Sequence, residues 1–253
     1  MNRVRSTAFA ALLLTASLAF SQANSADTAK VEKVHGSQTS SEVQDRLVKA
    51  QEVMDQMSDA KDSAIPDKIL SSAHCVAIIP DMVKGGFVFG AQHGRGVATC
   101  RLPNHHWSAP AFFTATGGSW GAQIGVAGVD LVMVFTTQEG ADKLLDANFK
   151  IGAEVTAAAG PVGRDASAST DIKANTAILT YSRAKGAFIG ATLNGVSVRT
   201  DKDSTIAFYG HDVEFKDALL GKTKVPAAAR TFLSAIAKDF RDARTENSDA
   251  AAR

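Results

Sequence analysis

Apolar positions along the chain change their period twice. Val43, Leu47, Ala50, Val53, Met54 and Met57 recur at three- and four-residue spacing, which predicts an amphipathic helix. Ser40 or Ser41 is placed to cap it, with Glu42 and Gln44 in the first turn. Pro66 stops this helix, and Ile65-Pro66-Asp67 opens a second, short one through Ile69, Leu70 and Ala73. Short apolar runs bounded by glycine, proline or polar residues then predict strands at Val76–Ile79, Phe87–Phe89, Gly96–Thr99, Ala111–Phe113, Ile124–Val126 and Leu131–Phe135. A short helix over Gln138–Leu145 is followed by strands at Ile151–Ala157, Ile178–Ser182, Gly186–Leu193 and Val196–Thr200. After Asp201 the helical period returns. Pro226 sits in the first turn of a helix carrying Phe232, Leu233, Ile236, Ala237 and Phe240.

Of the 20 glycines, 17 lie between Gly85 and Gly195, inside the predicted β region. Glycine within a strand marks a bend, a bulge or close backbone approach. The pattern therefore predicts an α+β domain: a strongly curved antiparallel sheet or barrel-like core, with helices from both chain ends packed on it. Lys84-Gly85-Gly86-Phe87-Val88-Phe89-Gly90 is echoed by Lys185-Gly186-Ala187-Phe188-Ile189-Gly190, which reads as two similar hairpins or a weak duplication.

The chain termini alter this picture. Arg3 and Arg5 precede the apolar run Ala8–Phe20, and Ser21, Ala23, Ser25 and Ala26 follow. That is the layout of a signal peptide over residues 1–26, so periplasmic or secreted localisation is expected. No cysteine adjoins the cleavage region, which argues against a lipid anchor there. Residues 27–39 read as a linker, 40–241 as the folded domain and 242–253 as a flexible tail. The formal net charge is only +1, so nucleic acid is not an expected partner, and any membrane affinity must come from local clustering.

Candidate chemistry is sparse. The cysteines are Cys75 and Cys100, which in an exported chain read either as a disulfide or as two buried thiols. Gly117-Gly118-Ser119-Trp120-Gly121 matches the G-x-S-x-G hydrolase pattern. That chemistry needs a strand before the serine and a helix after it. The residues that follow Ser119 are β-like, and His211 is the one downstream histidine, so a serine hydrolase is the weakest reading. His105-His106 lacks partners at metal-ligand spacing and reads as a solvated loop before Trp107. Gly160-Pro161-Val162-Gly163-Arg164 reads either as an anion-binding turn or as a turn whose arginine pairs with Asp165 or Asp171. Lys84, Arg95, Arg101, Lys150, Arg164, Arg183 and Lys185 flank glycine turns, and converging on a rim they would bind anionic headgroups. No metal, cofactor or catalytic residue is expected.

Several stretches together resemble the SYLF domain, also called the Ysc84 actin-binding or DUF500 family. They are Ala73-His74-Cys75-Val76-Ala77-Ile78-Ile79-Pro80, Lys84-Gly85-Gly86-Phe87 to Gly96, Gly118-Ser119-Trp120-Gly121-Ala122-Gln123-Ile124-Gly125, Asp130-Leu131-Val132, Lys150 to Arg164, Tyr181 to Gly190, and Phe208-Tyr209-Gly210. The likeness runs in order from about Ser40 to Phe240 and is similar to that of a bacterial, exported member. It implies a non-enzymatic protein. Eukaryotic members bind phosphoinositide-rich membranes and some bind actin, whereas bacterial members are thought to bind lipids. For an exported chain the resemblance implies anionic membrane lipid as partner, with an envelope protein as the alternative and actin not expected.

Overall fold

In the computed structural model the described residues are 38–60, 65–86, 89–120, 125–163, 176–184, 187–191 and 193–251. The signal-peptide reading and nearly all of the linker lie outside them.

Helix α1 spans Ser40–Asp59 and is capped one residue earlier than expected, by Thr39. The Glu42 amide donates to the Thr39 hydroxyl, and Glu42 Oε2 accepts from the Thr39 amide at 2.7 Å. This reciprocal box satisfies two amides at the open end of the helix. Helix α2 is Asp67–Ser72.

Strands β1 (Cys75–Gly86), β2 (Phe89–Cys100), β3 (Ala111–Trp120) and β4 (Gly125–Phe135) are longer than their apolar runs. Pro80-Asp81 does not end β1 but forms a bulge, with shifted register on both neighbouring strands. Asp81 takes a positive φ of 53°, and its amide is satisfied from β4 by Asp130 Oδ1 at 3.0 Å. A proline is tolerated there because a bulge removes one ladder bond. Helix α3 (Gln138–Asp146), β5 (Asn148–Lys150), β6 (Ala157–Ala159), β7 (Ile178–Ala184), β8 (Ala187–Gly190), β9 (Ser197–Thr200), α4 (Lys202–Tyr209) and α5 (Phe215–Leu219) follow. The expected strand Ile151–Ala157 is mostly a turn, because Glu154 Oε1 accepts from the Lys150 amide and Gly152 takes φ 84°. A 3₁₀ turn over Ala227–Ala229 leads into α6, Arg230–Ala251, which begins four residues after Pro226 and runs on through the expected tail.

The strand order is β5-β9-β3-β2-β1-β4-β7-β6, with β8 beside β7. Every pairing between these described strands is antiparallel except β6 with β7. Both faces of the central strands are covered. On one face, Val76, Ile78, Val97, Phe112, Val132 and Tyr181 pack against α1, α2 and α6. On the other, Ala77, Ile79, Phe113, Leu131 and Met133 share a core with Phe149 of β5, Val198 of β9 and α5. Strands five places apart in the order meet in that second core because the sheet curls into a half-barrel. Gly96 permits the curl: a Cβ there would overlap the Phe113 ring and crowd the Ile78 carbonyl.

Cys75 and Cys100 face each other across the β1–β2 ladder and form a disulfide, with Cα atoms 4.0 Å apart.

Candidate functional site

The five described members of the seven basic residues do not form one rim. Arg164 and Lys185 lie outside the described residues. The other five are spread over both faces, an edge strand and a strand end. Arg95, on the helix-covered face, is 3.6 Å from Asp201 Oδ2. Arg183, on the same face, donates to Asp130 Oδ2 through Nε and Nη2 at 2.8 and 2.7 Å. Lys84 follows Met82 on the opposite face and is half-buried, and burial lowers its pKa. Lys150 is exposed at the end of edge strand β5. These arginines serve as structural counter-charges because the bulge of β1 and the docking of α1 each bury a carboxylate.

The Gly160 amide donates to the Thr180 carbonyl at 3.0 Å, so it is not available to an anion. The reading of Arg164 in that turn lies outside the described residues. Ser119 is not at an elbow: its backbone pairs with Gly90 inside β3. The Tyr209 hydroxyl donates to the carbonyl of Pro110 at the start of that strand, so His211 sits at the opposite end of β3 from Ser119. Nine residues of strand separate those ends by roughly 30 Å.

Arg101 is different. It stands at the end of β2, where the chain leaves the sheet for the loop 101–107. Its Nη1 donates to the Ser71 carbonyl at 3.1 Å, and its guanidinium lies 5.4 Å from the Trp107 ring centroid and 5.9 Å from that of Phe240. Trp107 and Phe240 themselves meet edge-on, 4.7 Å between centroids. A guanidinium held over two aromatic faces is fixed in place by packing and by the ring quadrupoles.

This assembly forms one wall of a cleft of about 600 Å³ between the loop and α6. Helix α6 lines the cleft with a stripe, Arg230, Leu233, Ser234, Ala237, Phe240 and Arg241, spaced by three or four residues as one face of α6 requires. The polar lining comprises Arg101, Arg230, Arg241, His105, His106, Asn104 and Ser234. Trp107, Leu233, Ala237, Phe240 and Val225 supply the apolar floor. No aspartate or glutamate is among the described lining residues, and Asp239, buried on the same helix, does not line it.

The loop is built locally. The Leu102 amide donates to the His106 carbonyl at 2.8 Å and the His105 amide to the Leu102 carbonyl at 2.8 Å, closing a tight turn in which His105 takes φ 64°. Asn104 Oδ1 accepts from the His106 amide at 3.1 Å. The two histidines are thus exposed loop residues as expected, but they face a cleft. A second hollow of about 310 Å³, bordered by Ser72, His74, Leu102 and Pro103, shares Arg101 and His105 with the first. No cluster of three or more metal-ligating side chains occurs among the described residues.

Of this set the sequence singles out Arg101, and it offers Arg230 and Arg241 only as charges on the C-terminal helix, too few to prefer a membrane over packing. The signal for them was their spacing of eleven residues, three helical turns, on the flank of an apolar stripe.

Residues 116–239 match the family described as "Ysc84: Las17-binding protein actin regulator". The chain is similar to the human SH3 domain-containing YSC84-like protein 1, 31% identical over 169 residues, which cover 66% of this chain and 49% of the relative. It is similar to protein YSC84 of Saccharomyces cerevisiae, 33% identical over 175 residues, covering 68% of this chain and 37% of that protein. LAS seventeen-binding protein 3 of the same yeast is 32% identical over 170 residues, 66% of this chain and 37% of its own length. The chain thus spans half or less of the length of these relatives.

Proposed function

This chain carries a SYLF domain of the Ysc84 family, and from that premise we propose that it binds anionic phospholipid headgroups at a membrane surface without catalysing a reaction. The family description names binding and regulation, LAS seventeen-binding protein 3 is named for binding, and none of the names describes an enzyme. The observation that carries the lipid reading is the cleft, in which three arginines and two histidines border an apolar floor with no carboxylate in the described lining. Arginine suits this role because its planar fork matches phosphate oxygens. Export to the periplasm or exterior, expected from residues 1–26, belongs to the same proposal and makes an anionic envelope phospholipid the ligand.

Each arginine near a charged bilayer contributes about 1 kcal/mol. Three together supply about 3 kcal/mol, or roughly 100-fold in affinity, and this share is screened by salt. The protein should therefore co-sediment with phosphatidylglycerol vesicles at low salt and much less at high salt. The triple variant Arg101→Gln, Arg230→Gln, Arg241→Gln should lose that salt-sensitive part, and Lys150→Gln should keep it. Equal binding to neutral and anionic vesicles at every salt concentration overturns the reading.

A second reading rests on the family's description, which includes Las17 binding. On it, the same surface holds a protein partner in the envelope, and a pull-down that recovers such a partner and no lipid favours it.

A further inference from the structure

We infer that the outer face of the sheet carries a second binding surface, a polar row across six strands that takes an extended carboxylated polysaccharide, with Arg199 and Lys150 holding its uronate groups. This surface is built on other elements than the cleft and goes beyond the membrane-surface reading.

Cross-strand register builds the row. Gly128 of β4, Val83 of β1, His93 of β2, Thr116 of β3, Ser197 of β9 and Lys150 of β5 stand opposite one another in turn. Directly opposed residues share a face of the sheet. His93 Nδ1 lies 3.2 Å from Thr116 Oγ1, which holds two of them side by side. Helices cover this face further along the strands, but here it is open. Val83 is 50% exposed, and Gly128, His93, Thr116 and Lys150 are exposed as well. A parallel row of Arg95, Thr114, Arg199 and Asn148 runs beside it. Neither row contains a carboxylate. Arg95 faces Asp201, whereas Arg199 and Lys150 form no ion pair among the described residues. Glu154 binds the backbone amide of Lys150 rather than its ammonium.

Spacing selects the occupant. Neighbouring strands lie about 4.8 Å apart, close to the length of one pyranose unit in an extended glycan, so each strand meets one sugar. Same-face side chains of an extended peptide recur only every ~6.6 Å, which puts an acidic polypeptide out of step with the row. The rows offer no Phe, Tyr or Trp for bases to stack on, which disfavours single-stranded nucleic acid. The face is the outside of a half-barrel, so a rigid partner touches few strands and a flexible chain can follow all six. Hydroxyls of Thr114, Thr116 and Ser197 stand near the cations, ready to donate to or accept from sugar hydroxyls.

The test is calorimetric titration of the protein with oligogalacturonates from dimer to octamer, free of divalent cations, with neutral malto-oligosaccharides and polyglutamate as references. Affinity should climb with length, level off near six units, one per strand of the row, and fall as salt is added. Arg199→Gln with Lys150→Gln, both at exposed positions, should weaken binding roughly tenfold at low salt. Thr116→Glu sets a negative charge in the middle of the row and should weaken it further. Each variant should keep the wild-type circular dichroism and salt-sensitive vesicle binding, and the triple variant of Arg101, Arg230 and Arg241 should keep oligogalacturonate binding. Polyglutamate or neutral oligosaccharide bound as tightly as oligogalacturonate overturns the inference. So does full affinity at the dimer, which marks a simple anion site. If the Arg199 and Lys150 double variant loses vesicle binding too, the two surfaces are one and the inference fails. Oligogalacturonate bound with anionic vesicles ignored supports the inference and defeats the membrane-surface reading.

Discussion

The backbone amide of Arg101 donates to the carbonyl of His74 at 2.7 Å, one residue outside the Cys75–Cys100 disulfide on both strands. The covalent link therefore lies immediately beneath the residue that carries the cleft's stacked guanidinium. His74 also ties into the opposite neighbour, since its amide donates to the Phe135 carbonyl at 2.8 Å. Three strand ends are thus fastened together at the base of the loop 101–107.

Removing that link should weaken both fold and cleft. The half-cystines are 25 residues apart, a separation for which cross-linking stabilises by about 3 kcal/mol in the chain-entropy account. Cys75→Ala with Cys100→Ala should lower the urea midpoint accordingly, and reductant should lower the wild type by a similar amount. Salt-sensitive binding of the folded variant to phosphatidylglycerol vesicles should fall as well, because the strand end that carries Arg101 is no longer covalently held. Identical urea midpoints with and without reductant would show that the ladder alone holds these ends.

The curled sheet and flanking helices were legible because Val76–Ile79 and Leu131–Phe135 are apolar on both faces, which only a sheet covered on two sides explains. The true strand lengths were not. Gly85 and Gly86 or Gly117 and Gly118 read as turns in isolation, yet all four backbones pair in register with β2, and the first two with β4 as well. Tertiary pairing overrides local preference there. The dispersal of the five described cations has a related reason. Spacing gives the face of an isolated strand, but the partner carboxylates of Arg95 and Arg183 lie 106 and 53 residues away in sequence, at Asp201 and Asp130. Arg101 was found only as one of several basic residues beside glycines, and its aromatic neighbour Phe240 comes from the far end of the chain.

Asp201 is the pivot of a buried ionic cluster. Its side chain caps α4 through the Ser204 amide at 3.1 Å, and it lies 3.5 Å from Arg46 of α1 and 3.6 Å from Arg95 of β2. Burial depresses the Arg46 guanidinium pKa more than Asp201 raises it, so the pair is costly to desolvate. Asp201→Asn leaves two cations facing a neutral amide and should destabilise by about 3–5 kcal/mol in urea unfolding. Adding Arg46→Met should recover part of the loss, since one buried charge is then removed. A double variant less stable than Asp201→Asn alone would show that Arg46 acts through its packing on Phe112 instead.

The chain has two tyrosines, Tyr181 and Tyr209, and burial raises the pKa of both phenols far above their usual value. The Tyr181 hydroxyl is buried without a hydrogen-bond partner among the described residues, while that of Tyr209 donates to the Pro110 carbonyl at 2.7 Å. A phenol whose folded pKa exceeds its unfolded value, about 10, contributes stability that is fully present below that pH and lost as pH climbs toward the folded value. Phenolate absorbance should therefore stay low through pH 10 and rise in one cooperative step together with loss of circular dichroism. A gradual rise centred on pH 10 with the fold intact would place at least one ring in solvent.

Gly160 lies flat against the Tyr181 ring, and any Cβ there would overlap the ring itself. Tyr181 is wholly buried beneath α1 and α6, so it cannot swing aside, and the Gly160 amide is fixed to Thr180. Gly160→Ala should therefore cost about 1–3 kcal/mol, the usual penalty for forcing extra volume into a packed core. For a domain of this size that is a fall of several degrees in Tm. Gly128 in β4 offers the matching control: a Cβ there meets nothing within 4 Å, so Gly128→Ala should leave Tm unchanged or slightly raised. If both substitutions prove equally harmless, the contact between Gly160 and Tyr181 is not what sets the path of residues 157–163 over the sheet.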